Sequence, residues 1–478
     1  MTDKLIGMYV LMMWGYNYPY AARTWQLKDW SAYLEGLRAL GYNLVQIWPF
    51  VDAIPVPMTP SDRALLATLR QVIDVAHELG MTVYIGSCAN TMANDKAGDY
   101  DFESRPYFTV QKRIDPTDRN AVAELMTTRR ELLDGLAEAD GFWVIDSDPG
   151  GYPGSSPSAF ADLFTEYRRM LDTLRPGIRL YYWMWAGWTD APRFDPEWRD
   201  TPQACWREAL ARIVALNPEP WGIMACWPGH FSVIEELGQE HRTLYFAYNT
   251  IEHEPDFPFT NCDPEFIQRA FDQVPPDGFP VGVMGNAQSH CLQMPHTYFF
   301  RHFADGGARE DMDLAGFADD VLPGHGAVLS AAWLALGGED CAALESAAAE
   351  LATHPPLTGG KYIGLYLGQP DRLVGDLVAQ IKLKIAILNL RDRLAGDDSF
   401  ATELQEMVQA LAAWAQQHGY TDRFRGPFRA LIRPVLEQVA MQTRDSERLR
   451  QAMDGCDARD VNGVFTELLD SLKGLQLK

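Results

Sequence analysis

With 478 residues the chain exceeds what one ordinary hydrophobic core supports, so two domains are expected. Hydrophobic residues make up 47% of it and aromatic residues 12%, a composition that excludes disorder and indicates a fully folded globular protein. A formal net charge of −24 repels polyanions, which excludes nucleic acid as a partner and disfavours sulfated or uronate-rich polymers unless a local basic pocket overrides the field.

The N-terminal run, residues 4–14, is apolar but too short to span a membrane, and it lacks a small-residue cleavage site. Cys88, Cys205, Cys226, Cys262, Cys291, Cys341 and Cys456 are odd in number and scattered, with no CxxC pair. They read as free thiols, not as a disulfide framework or a zinc site, and the expected compartment is the cytoplasm, with no membrane partner.

From the start to about residue 300, short apolar runs alternate with amphipathic helical patterns. The apolar runs are 6–14, 44–50, 82–87, 142–145, 178–185, 221–227, 244–248 and 281–284. Helical patterns cover 30–40, 62–79, 121–139, 158–174, 202–216, 231–238 and 264–271, with Gly41, Gly80 and Gly177 as stop signals. Alternation of this kind implies parallel β/α units. Eight strand candidates in about 300 residues predict an α/β fold, a closed (β/α)8 TIM barrel over residues 1–305. No glycine-rich phosphate loop follows an early strand, which disfavours a nucleotide-binding sheet, and no cofactor is expected. The long polar loop 89–113 reads as a lid or binding loop. After about residue 305 strand-like runs nearly vanish. Ala/Leu-rich segments at 313–336, 342–352, 376–394, 401–417, 428–443 and 460–472 predict an all-α helical domain over 306–478. That domain is expected to close the barrel edge or form the contact of a homodimer.

A barrel keeps its chemistry at the C-terminal ends of its strands. The fourth run, Gly141 to Ile145, leads directly into Asp146-Ser-Asp148 and a glycine turn. Alternation predicts Val144, Asp146 and Asp148 on one face and Trp143 and Ile145 on the other. Burying carboxylates is costly unless they are paired or used, so these two acids are candidate catalytic groups. The plainer reading is that Asp148 caps the next element while Asp146 bonds backbone N–H groups. Glu252 and Glu254, after the seventh run, lie roughly opposite and complete a set of four carboxylates. Other strand ends carry Trp14, Tyr16, Trp48, Asn90, Trp183, Trp185, Trp227, His230, Asn249, Asn286, Gln288 and His290. Sugar rings present C–H faces that pack on aromatic rings and hydroxyl edges that need Asn, Gln, His and carboxylates. The set is therefore a candidate carbohydrate-binding surface, although Trp is also a common core residue. His290, His296 and His302 share no helix face and no HExxH occurs, so no metal site is expected.

In this pattern the chain resembles barrel glycoside hydrolases that carry a C-terminal helical domain, such as hexosaminidases, O-GlcNAcases and α-glucuronidases. The resemblance rests on Trp143-Val-Ile-Asp-Ser-Asp148, on the turn Ile114-Asp-Pro-Thr-Asp118 opening a helix, on Gly285-Asn-Ala-Gln288, and on Phe317–Pro323 leading to Ala331-Ala-Trp333. Hexosaminidases carry Asp-Glu at the fourth strand, O-GlcNAcases Asp-Asp, and large retaining families Asn-Glu, where this chain has Asp-Ser-Asp. The resemblance implies hydrolysis of a small carbohydrate substrate by two carboxylates, without fixing the family. Asp148 is then expected as general acid and Glu252 as nucleophile or base, with Asp146 tuning Asp148 or orienting a 2-acetamido group. The alternatives are a non-catalytic carbohydrate-binding barrel and a metal-assisted lyase or isomerase acting on a sugar acid.

Overall fold

The computed structural model describes residues 4–146, 156–185, 202–248, 250–252, 259–274, 281–353, 357–396, 399–419, 426–457 and 464–475. Its strands are β1 (Leu5–Leu11), β2 (Leu44–Trp48), β3 (Thr82–Cys88), β4 (Thr91–Ala93), β5 (Gln111–Arg113), β6 (Gly141–Ile145), β7 (Arg179–Trp183), β8 (Trp221–Ala225), β9 (Thr243–Ala247) and β10 (Gly282–Ala287). Eight of them close a parallel barrel in the order β1-β2-β3-β6-β7-β8-β9-β10, with β10 pairing back onto β1. β4 and β5 form a separate antiparallel hairpin inside the loop after β3. Every apolar run singled out in the sequence is one of the barrel strands, so the (β/α)8 barrel is the observed fold.

The helices of the barrel part are α1 (Leu27–Leu40), α2 (Pro60–Glu78), α3 (Arg119–Asp134), α4 (Pro157–Leu174), α5 (Pro202–Leu216), α6 (Pro228–Glu236), α7 (Pro264–Phe271) and α8 (Met294–Ala304). Several start where a polar side chain meets the orphan N–H groups of the first turn. Thr59 and Asp62 form a reciprocal capping box ahead of α2, and Asp118 accepts from Asn120 and Ala121 at the start of α3, closing the Ile114–Asp118 turn. Gly41, Gly80 and Gly177 adopt left-handed backbone angles after α1, α2 and α4, as expected of stop signals.

A helical region follows, built of α9 (Leu314–Val321), α10 (Gly326–Gly337), α11 (Cys341–Ala352), α12 (Pro370–Leu394), α13 (Ala401–His418), α14 (Gly426–Met441), α15 (Ser446–Asp457) and α16 (Val464–Lys473). The predicted single helix 313–336 is two helices. Pro323 disfavours helical backbone at Leu322, which is extended (φ −131°, ψ 91°), and the chain turns before α10. Two helices, α8 and α15, fall outside the sequence expectation. α8 is buried on nearly every side and so shows no polar face, whereas α15 hides Leu449, Ala452, Met453 and Cys456 among charged residues. Phe317 joins the two parts, with its ring stacked 4.6 Å from Tyr298 of α8 and 5.8 Å from Trp333 of α10. Among the described residues no helix is long and apolar enough to cross a membrane.

The barrel interior is filled with aromatic rings. Tyr9, Trp48, Trp143, Trp183 and Phe246 meet edge-on or tilted, with centroids 4.4 Å apart for Trp183–Phe246 and 4.5 Å for Trp143–Trp183. Room for Trp143 comes from Gly86 on the next strand, where a Cβ would lie 1.7 Å from the indole. Burying one tryptophan is worth about 5 kcal/mol at ordinary transfer values, against about 1 kcal/mol for a glycine in a strand. The ring therefore wins, and it fixes which face of β6 points inward.

Candidate active site

Glu252 follows β9 and is 2% exposed. Its Oε2 accepts the backbone N–H groups of Gln288 (2.9 Å) and Ser289 (2.6 Å), just beyond β10. The main chain is tied the same way: Glu252 N–H donates to the Asn286 carbonyl (2.8 Å), and Asn286 Nδ2 donates to the Glu252 carbonyl (3.0 Å). Gln288 Nε2 donates to Asn286 Oδ1 (3.1 Å), while Gln288 Oε1 accepts from the indole of Trp14 (2.7 Å). Two main-chain donors thus fix the position of this carboxylate oxygen. The carboxylate sits over β10, which stands opposite β6 in the ring of strands.

Asp146 is fully buried at the end of β6. Since Trp143 points into the barrel, alternation turns Val144 and Asp146 toward the helices. The contacts agree: Asp146 Oδ2 accepts from the hydroxyl of Tyr182 (3.1 Å), whose ring packs on Phe160 and Phe164 of α4. The same oxygen accepts the backbone N–H of Trp185 (3.3 Å). The predicted alternation holds, with Asp146 on the helix side of the strand. Asp148, Asn249 and Glu254 lie outside the described residues.

Two aromatic walls flank the mouth. On the β1 side Trp14 and Tyr16, both buried, stack at 6.3 Å and 18°. On the β7–β9 side Trp185, Trp227 and Tyr248 form a half-buried triangle, with Trp185–Tyr248 at 4.6 Å and Trp227–Tyr248 at 5.2 Å. Tyr248, which the sequence-based binding set does not include, closes a strand in the same way as its two partners. Trp48 and Trp183, both read as platform candidates, are packed in the barrel core. The indole of Trp48 donates to Asp52 (2.8 Å), and that of Trp183 to Cys226 Sγ (2.8 Å). Burial pushes the Cys226 thiol well above its ordinary range, and the charge of Asp146 adds to the shift.

The remaining polar candidates serve the frame around the mouth. Asn90 Nδ2 donates to the Ile114 carbonyl (3.0 Å) and closes the long loop after β3. His230 Nδ1 accepts the N–H groups of Cys226 (3.1 Å) and Trp227 (3.3 Å) at the start of α6. His290 Nδ1 meets the Tyr33 hydroxyl (2.9 Å) beneath α1, with its ring against Trp25. Burial pushes both imidazoles down to about 3, so both are neutral at ordinary pH. A buried pair missed in the sequence, Asp52 with Arg129, braces the ends of β2 and β3, where Asp52 also accepts from Cys88 N–H (2.9 Å). Desolvation raises the Asp52 carboxyl, and Arg129 draws it back down. Among the described residues no group of three or more His, Cys, Asp and Glu side chains is arranged to hold a metal ion.

No protein-family model and no curated protein matches this chain. Solved structures do match it in shape. CpGH84B is 8% identical, with 89% of this chain and 75% of that chain covered and a TM-score of 0.48. An O-GlcNAc hydrolase of Thermobaculum terrenum is 11% identical, with 98% and 93% covered and a TM-score of 0.41. A chitobiase of Flavobacterium johnsoniae is 11% identical, with 98% and 78% covered and a TM-score of 0.41. The structural neighbours are thus barrel glycoside hydrolases, with no single family assigned. Likeness at this level concerns the fold alone.

Proposed function

We propose that the protein is a glycoside hydrolase acting on an oligosaccharide or small glycoside. The observation that carries this reading is the Glu252 carboxylate, held by two main-chain N–H groups at a barrel mouth walled by aromatic rings. Glu252 is assigned as nucleophile or base. Asp148, two residues past Asp146 in the sequence, is assigned as general acid: its proton passes to the glycosidic oxygen as the anomeric C–O bond breaks. Glu254, two residues past Glu252, is the alternative for the nucleophile or base. The carboxyl separation, about 5–5.5 Å for retention or about 6.5–9.5 Å for inversion, appears in the anomer of the first product. A panel of aryl glycosides of both anomers, run with and without a chelator and followed by NMR, tests the reading. We expect chelator-resistant hydrolysis of at least one glycoside. Asp148→Asn and Glu252→Gln should each lower turnover about 10²–10⁴-fold in a protein that remains folded by circular dichroism. Parental activity in both variants removes the mechanism.

A second reading is favoured by the engagement of Asp146 with Tyr182 and Trp185, which makes that acid a brace for the aromatic wall. On it the barrel binds carbohydrate without cleaving it. It predicts saturable sugar binding, detected by quenching of tryptophan fluorescence, in a protein that hydrolyses no member of the panel.

A further inference from the structure

The helical region grips the loop after β1 at defined points. Asn17 closes the C-terminus of α13: its backbone N–H donates to the His418 carbonyl (2.9 Å), and its side-chain amide to the carbonyls of Gln416 (2.8 Å) and Gln417 (3.2 Å). These carbonyls have no partner inside a helix. Gly419 permits the approach, since a Cβ there would lie 2.8 Å from the Asn17 nitrogen. The His418 ring packs on Tyr16 (4.7 Å) and Tyr20 (4.6 Å). α12 adds a second grip through polar residues one turn apart. Arg372 donates to the Tyr18 carbonyl (2.9 Å), and buried Asp376 accepts the hydroxyls of Tyr20 (2.7 Å) and Tyr366 and the amide of Gln417. Gln380 accepts the Thr260 N–H (2.7 Å), in the segment leading from β9 to α7.

The gripped loop is also the one that reaches the carboxylate. Tyr16 stacks on Trp14, Trp14 bonds Gln288, and the Gln288 and Ser289 amides hold Glu252. We propose that α12 and α13 are part of the site: through Asn17 and Asp376, two positioning residues, they set the Trp14–Gln288 contact and with it the Glu252 carboxylate. The link to turnover rests on the glycosidase reading; the physical coupling does not.

Hydrogen exchange of the whole chain, read by mass spectrometry, tests the coupling. Asn17 is exposed, so Asn17→Ala leaves the fold intact, and Asp376→Asn, which keeps the side-chain volume, probes the same link from α12. In both variants the peptide covering 286–291 should exchange about tenfold faster, the size of an ordinary coupling between sites, with β7 and α5 unchanged. Asn17→Gln, which keeps the amide donor, should restore most of the protection. In an active enzyme kcat should fall with KM nearly constant. Faster exchange at 14–20 with unchanged exchange at 286–291 overturns the proposal, whatever the activity. Faster exchange at 286–291 in a protein that hydrolyses nothing supports the coupling and overturns the glycosidase reading instead.

Discussion

Asp146 and Glu252 are both buried acids at strand ends, yet their surroundings give them different work. Glu252 is held by main-chain amides at the mouth, whereas Asp146 shares one oxygen between Tyr182, on the helix side, and the backbone of Trp185. Removing one donor from a buried carboxylate costs about 1–3 kcal/mol. Tyr182→Phe should therefore lower stability by that amount in urea unfolding, and it should loosen Trp185, seen as a red-shifted fluorescence maximum. An unchanged spectrum would mean that Asp146 does not brace the aromatic wall. The sequence made both acids legible as strand-end residues and placed Asp146 on the face of β6 opposite Trp143, as observed. It did not show which face of β6 turns inward, because that depends on Trp143 finding the space left by Gly86. Likewise His230 and His290 have the right residue type for sugar binding, but the main-chain N–H groups of Cys226 and Trp227 just before α6, and the distant Tyr33 hydroxyl, decide where their rings point.

At the scale of elements, the loop 89–113 is a braced wall more than a free lid. Arg105 of this loop reaches out to Asp62 of α2 and pairs with it through two contacts, 2.6 and 3.1 Å, both side chains being almost completely buried. Arg105 also donates to the carbonyls of Ala97 and Tyr100 (both 3.0 Å), and Arg23 donates to the Arg105 carbonyl (3.1 Å). Breaking a buried pair by removing one partner costs about 3–5 kcal/mol, because the other charge stays behind. Asp62→Ala should lose stability of that order and become susceptible to limited proteolysis within 94–110. Resistance equal to the parent protein would show that the ion pair is not what anchors the loop. Strands were the most legible elements, since each one in the barrel is a short apolar run between helical patterns. The helical region was less so. On α12 the residues Arg372, Asp376, Gln380 and Lys384 recur every four positions, a spacing that in sequence reads as a solvated stripe. Asp376, Gln380 and Lys384 are in fact buried, and the stripe is satisfied by Tyr18, Tyr20, Thr260 and the Leu336 carbonyl. Nothing local in the helix announces partners that far away.

At the scale of the whole molecule, four buried histidines tie stability to pH. Burial pushes His230, His290 and His418 down to about 3 and His296 to about 4, from an ordinary value of 6.5. His296 is fixed as the neutral tautomer, with Nδ1 donating to the Ile251 carbonyl (2.8 Å) and Nε2 accepting from Asp263 N–H (2.9 Å). A depressed value means that the unfolded chain takes up protons the folded one refuses. The stability contributed by these groups is complete above pH about 6.5 and is lost as pH falls toward 3–4. At pH 5 each costs about 2 kcal/mol, and the four together roughly 8 kcal/mol, comparable with the whole stability of an ordinary domain. Acidification also neutralises carboxylates and relieves the repulsion within a chain of net charge −24, but that relief comes mainly below pH 5, near the ordinary carboxylate values. The histidine effect therefore leads between pH 6.5 and 5. The melting temperature should fall steeply across that window, with an uptake on unfolding that approaches four protons from these side chains. His230→Gln should reduce the uptake by one proton and flatten the slope accordingly. A melting temperature that stays level from pH 7 to pH 5 would mean that the four imidazoles are protonated in the folded chain, contrary to their burial.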